Sequence, residues 1–144
     1  MGEWKEYKAI DFCAGVTDGT HDSPKPQNYG HYLITSKHLT DSGINFSSAY
    51  YISEKDYNNI INRSKVSQFD ILFSMIGTIG NVVHVKKKDV DFAVKNMGIF
   101  QMGGDETKSQ WLFYWLKTPY AKNYIHQRLA GSTQSYLTLE SVLP

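Results

Sequence analysis

A chain of 144 residues supports one domain around a single core, and its net charge of +1 excludes a bulk polycation. Any nucleic-acid contact would need its cations and polar groups gathered on one face. Apolar residues make up 41% and aromatics 14%, with ten Tyr and three Trp, side chains that serve cores and recognition surfaces alike. The lone cysteine, Cys13, excludes an internal disulfide and fits a reducing compartment. The sequence carries no signal peptide and no apolar run long enough to span a membrane, which together predict a soluble, cytoplasmic protein.

Trp4, Tyr7 and Ile10 have helix-like spacing, and the same segment also suits an extended run into a sheet. Cys13 follows Ile10, Asp11 and Phe12, a setting that predicts a packed small residue rather than a nucleophile. Gly15 to Tyr29 is predicted as a loop, since it holds Gly15, Gly19, Pro24, Pro26 and a cluster of Asp, Ser and Thr. Tyr32 to Thr35 reads as a strand and Asp41-Ser42-Gly43 as a turn. Ser53 to Asp56 has the form of a capping box with Asp in place of Glu, and Tyr57, Ile60 and Ile61 follow at helical spacing. A short amphipathic helix is predicted from Glu54 to Asn62.

The chain is organised around Phe69 to Val85. Asp70 opens a short apolar run, Ile71 to Phe73, and a β-branched run from Val82 to Val85 follows, so two strands pair around a turn bracketed by Gly77 and Gly80. This Gly-Thr-Ile-Gly turn lacks the Lys-Ser/Thr of a phosphate loop and opens no helix. Lys86-Lys87-Lys88-Asp89 is a charged connection, for which a solvated hairpin end is favoured over a phosphate contact. Phe92 to Val94 and Ile99 to Met102 read as further strands, closed by Gly103-Gly104-Asp105.

The C-terminal third is predicted helical. Trp111, Leu112, Trp115 and Leu116 form a stripe with the spacing of a buried face, and Thr118-Pro119 looks like an N-cap with Pro in the first turn. Tyr120, Ala121, Tyr124, Ile125 and Leu129 continue the stripe until Gly131, and Tyr136 to Leu139 reads as a last strand. Strands first and helices later give an α+β fold: a twisted, mostly antiparallel strand-rich half with a short helix, then a helical pair and a final strand.

Candidate catalytic groups are sparse. The five histidines, His21, His31, His38, His84 and His126, form no HExxH and no zinc spacing with the cysteine, so no metal site is predicted. Asp70 lacks the second acidic cluster and Lys partner of a nuclease and reads as a strand-opening turn residue. No motif holds a flipped base for methylation.

Taken in order, these motifs resemble the target recognition domain of type I restriction-modification specificity (S) subunits. The resemblance rests on the Trp4-x-x-Tyr7 opening, Asp18-Gly19-Thr20-His21 with prolines behind it, Gly43-Ile44, and Tyr51-Ile52-Ser53 before a helix. It continues through Gln68 to Ser74, where the family usually has Gly-Asp-Ile-Leu, then Gly77 to Gly80, the strand near Asn96, the helical pair from Tyr114 to Ile125, and Gly131-Ser132-Thr133-Gln134 with a closing Leu-Pro. It implies a DNA-reading module without catalysis or cofactor of its own. In such subunits two recognition domains, each reading half of a split double-stranded DNA target, are held apart by long helices that methyltransferase (M) subunits clamp, while restriction (R) subunits cut. Residues 1–144 would form one such domain, ending where the spacer helix would begin. Two alternatives stay open: a recognition domain of a fused restriction-methylation enzyme, and an interaction decoy for the M subunit that does not read DNA.

Base reading needs donors and acceptors at base edges, with cations and amides on phosphates. The loops supply Thr17, Asp18, Thr20 and His21; Ser36, Lys37 and His38; Ser74, Met75, Thr78 and Asn81; Lys95 and Asn96; and Ser132, Thr133, Gln134 and Ser135. Arg128 and Lys122 could face DNA from the last helix or favour its C-terminal dipole. Gly19, Gly77, Gly80 and Gly131 are assigned to turning the chain.

Overall fold

The computed structural model describes residues 5–7, 12–74, 81–123 and 141–143. Among these the central element is a four-stranded antiparallel sheet in the order β2 (Gly15–Asp18), β10 (Met97–Gln101), β7 (Ile71–Ser74) and β8 (Val82–His84). Strand side chains alternate between faces. Ile71 and Phe73 therefore join Val82, Phe100, Met102, Phe12 and Cys13 in one core, while Leu72 joins Val83, Met97 and Ile99 in another on the opposite face. A sheet buried on both faces explains why this part of the sequence reads as a nearly unbroken apolar run.

The first face is covered by α2 (Glu106–Leu116), whose Leu112 and Leu116 are buried in that core. Asp105 caps this helix by accepting from the Lys108 amide (3.0 Å). Trp111 and Trp115 lie half-buried along the same core and stack on each other, ring centroids 6.2 Å apart. The Thr118 hydroxyl accepts from the Ala121 amide (3.2 Å), so the expected N-cap holds for the helical residues 119–123. Ala121 is buried, but Tyr120 is exposed and lies edge-on to Trp115.

The second face packs on a three-stranded sheet ordered β6 (Tyr50–Ile52), β3 (His31–Ile34) and β9 (Ala93–Val94), with β3 and β9 parallel. Ile34 and Val94 point to the central sheet, and Leu33 and Ala93 point outward to α1 (Glu54–Ser64), where Tyr57 and Ile60 cover them. Ser53 caps α1 by accepting from the Asp56 amide (3.1 Å). The layers thus run α2, four-stranded sheet, three-stranded sheet, α1, an α+β fold as expected. A small hairpin, β4 (Leu39–Thr40) with β5 (Gly43–Ile44), turns at Asp41 and Ser42, and Gly43 has φ 124°, a left-handed setting suited to glycine. The backbone of β1 (Lys5–Tyr7) pairs antiparallel with β11 (Ser141–Leu143), so the opening segment takes the extended alternative.

Several expectations change. Gly15 to Asp18 is a strand rather than loop, because its ladder to β10 outweighs its turn-forming composition. The helix continues to Ser64, two residues past the predicted stop, since the Ser64 hydroxyl is held by the Asp18 carbonyl (2.7 Å). Strand bounds shift by a residue or two at His31, His84, Ala93 and Met97. The turn around Gly77 and Gly80, and the expected helix and strand residues from 124 to 140, lie outside the described residues.

Candidate nucleic-acid interface

Three element ends converge where the two sheets meet: the end of β2, the joint between β9 and β10, and the last turn of α1. Past β2, the Gly19 amide donates to the Met97 carbonyl (2.8 Å) and the Thr20 amide to the Val94 carbonyl (3.0 Å). A Cβ on Gly19 would stand 2.5 Å from the Val94 carbonyl oxygen, so only glycine permits this approach. Asn96, at φ 57°, makes the sharp joint into β10, and its amide returns to the Thr20 carbonyl (3.0 Å).

On this frame the side chains form one network. The Asp18 carboxylate is buried (7% exposed) and lies 2.6 Å from His21 Nε2 through Oδ2. Arg63 Nη1 donates to its Oδ1 (3.2 Å), and Nη2 donates to the Gly19 carbonyl (3.3 Å). The other nitrogen of His21, Nδ1, faces Asn96 Oδ1 at 2.9 Å. An imidazole with an oxygen acceptor on each nitrogen is a double donor, the protonated form. Accordingly the Asn96 bond first, and the Asp18 bond with it, hold His21 above the usual histidine range. Burial pushes the Asp18 carboxyl up, but hydrogen bonds from His21 and Arg63 outweigh it, leaving the carboxyl below the ordinary aspartate value. The result is an exposed guanidinium and an exposed imidazole, the latter biased toward its protonated form, held on one buried anion.

The remaining candidates separate by position. Ser36 joins the network by donating to the Asn96 carbonyl (3.1 Å), and Lys95 Nζ reaches Ser23 Oγ (2.8 Å). Lys37 is exposed, and Thr17 is half-buried within β2. Asn81 donates to the Leu39 carbonyl (3.2 Å), tying the start of β8 to the hairpin. Thr20, His38 and Ser74 are buried: His38 accepts from the Thr35 amide (2.9 Å), and burial holds its imidazole below the usual range. As placed, Asp18, Thr20 and His38 brace loops through their hydrogen bonds, and Ser74 is buried at the end of β7. Met75, Thr78, Arg128 and Ser132 to Ser135, with Gly77, Gly80 and Gly131, lie outside the described residues. The lysines from Lys86 to Lys88 are exposed, and Lys87 pairs with Asp91 (3.2 Å).

Arg63 and its neighbours Asn59 and Ser64 escape a reading of the sequence. Helical periodicity puts Arg63 on the polar face of α1, where a solvated cation is the ordinary outcome, and its partner Asp18 is 45 residues away. The one available signal is scarcity, since Arg63 and Arg128 are the only arginines in the chain.

Asp70, the other buried carboxylate among the described residues, is engaged by backbone instead. It accepts from the Ser67 amide (2.9 Å) and the Met102 amide (3.0 Å), fixing the start of β7. Among the described residues no group of three or more His, Cys, Asp or Glu could hold a metal ion, and no helix is long and apolar enough to cross a membrane.

No curated protein matches the chain. A family model described as type I restriction modification DNA specificity domain matches residues 1–143, nearly the full length. The chain therefore belongs to the family of type I restriction-modification DNA specificity domains.

Proposed function

We infer that this chain is a single recognition domain that reads one half of a bipartite double-stranded DNA target. In this reading it is the non-catalytic, cytoplasmic specificity component of a type I system. A second recognition domain reads the other half-site, and M and R subunits carry out methylation and cleavage. The observation that carries the reading is the seam at which His21, Arg63, Lys95 and Asn96 gather on one surface, in a chain whose net charge is only +1. Local concentration of donors and cations is what base-edge and phosphate contacts require when the whole molecule is nearly neutral. Ser36 and Lys37 extend that surface, and Asp18, Thr20, His38 and Ser74 support it from within.

The test is a selection of the domain on a randomised duplex library at low and at moderate salt. Enrichment of a short fixed motif that survives the higher salt is expected. Binding without enrichment that disappears with salt would reduce the function to phosphate contact, because that component alone falls steeply with ionic strength. Absence of binding at low salt would remove DNA as the ligand.

A further inference from the structure

The geometry points to Arg63 as a guanine-reading residue, an assignment that rests on the DNA-reading function proposed above. A guanidinium carries five N–H groups. Among the described residues two of them are used, one on Asp18 Oδ1 and one on the Gly19 carbonyl, and both partners are themselves fixed by the fold. The Arg63 side chain is nonetheless 59% exposed. It is therefore an oriented fork that is anchored through two donors and still largely exposed, the condition under which an arginine discriminates rather than merely attracts.

Arg63 lines a cleft of about 270 Å³ between α1 and the segment after β2, together with Thr20, His21, Asp22 and Asn59. Its chemistry is mixed. Asp22, exposed at its edge, would oppose a fully charged phosphate more strongly than an uncharged base edge. Guanine offers O6 and N7 side by side in the major groove and is the usual partner of an arginine fork.

The experiment compares the wild type with Arg63→Lys and Arg63→Gln in the duplex selection, followed by titrations on the selected motif at two salt concentrations. The same motif is also made with 7-deazaguanine at each guanine in turn, which removes N7 without changing the protein. We expect one guanine whose preference falls about tenfold or more in both variants. Deaza substitution there should weaken the wild type by a similar factor and leave Arg63→Gln unaffected. Uniform weakening across positions, with the salt slope lowered by about one, would make Arg63 a phosphate contact and overturn the assignment. So would a guanine preference that persists in both variants, or indifference of the wild type to every deaza substitution. A wild type that selects no motif overturns base reading itself, and this assignment with it.

Discussion

His21 Nε2 lies 2.6 Å from Asp18 Oδ2, so the exposed end of the Asp-Gly-Thr-His segment is tied back to its buried beginning. Asp18 is shared, since its other oxygen takes Arg63 at 3.2 Å. One buried carboxylate thus sets the direction of two exposed side chains from different elements, and the orientation of both depends on Asp18 remaining ionised.

This linkage gives a stability difference that depends on pH. The His21 pKa is raised, so its contribution is complete below the ordinary value of 6.5 and is lost as pH rises through the raised folded value. The Asp18 pKa is lowered, so its contribution is complete above 3.8 and is lost as pH falls through the depressed value. The melting-temperature gap between wild type and His21→Gln should be widest between these pH values and shrink on both sides. With the His21 side chain 57% exposed, the gap should correspond to no more than about 1 kcal/mol. A gap that stays flat from pH 4 to 9 would show that the imidazole is not a charged partner.

Gly19→Ala tests the close approach of the two sheets. The added methyl would meet the Val94 carbonyl oxygen at 2.5 Å and its carbon at 2.7 Å, and backbone cannot swing aside as a side chain tip can. Urea unfolding should show a loss of about 1–3 kcal/mol, the usual cost of overpacking. Thr20 and Lys95, which bridge at this point, should lose amide protection from hydrogen exchange. Unchanged protection would mean that the seam tolerates the separation.

Asp70→Ala and Asp70→Asn should differ in a defined order. Alanine leaves the Ser67 and Met102 amides without their acceptor, at a cost of about 1–3 kcal/mol for a buried donor. Asparagine restores an acceptor to only one of them and should fall between alanine and wild type in denaturant midpoint. Burial holds the native carboxyl above its ordinary pKa despite these amides, so its ionisation weakens the fold as pH rises through the interval above 3.8. In Asp70→Asn that part of the pH dependence should be missing.

Cys13 supplies a reporter of global opening. Burial first, with the Asp70 charge added, pushes its thiol up to about 12, leaving almost no thiolate at neutral pH. Iodoacetamide should label the native protein orders of magnitude more slowly than the denatured chain. Equal rates would place Cys13 outside the core.

How far the sequence discloses the fold follows the range of the interactions. The cap at Ser53 and the spacing of Tyr57 and Ile60 are local signals, and α1 begins where they put it. The pairing of Ile71 to Phe73 with Val82 to His84 is legible for the same reason, as two β-rich runs separated by one turn. Gly15 to Asp18 is illegible because its strand state comes from residues 97–101, which no window around it contains. At the interface the sequence brings Asp18, Thr20 and His21 forward as one segment and Asn96 as another, but not the contact between them. Nor does it disclose that Asp18, the most polar of the group, is turned inward by Arg63 and Ser64.

The parallel pairing of β3 with β9 also bears on how the proposed recognition surface comes into being. Ser36 and Asn96 are separated by 60 residues and His21 and Asn96 by 75, so their contacts form only after long loops have closed. Such closure is entropically costly and slows folding of high-contact-order chains. The segment that bears His21 is tied to Asp18 and, through Arg63 and Ser64, to α1, but its backbone contacts are completed only when Val94 and Asn96 and the Met97 carbonyl of β10 are in place. A partly folded chain therefore carries the right residues in the wrong arrangement, and the proposed base discrimination would require the joint between β9 and β10 to be in place.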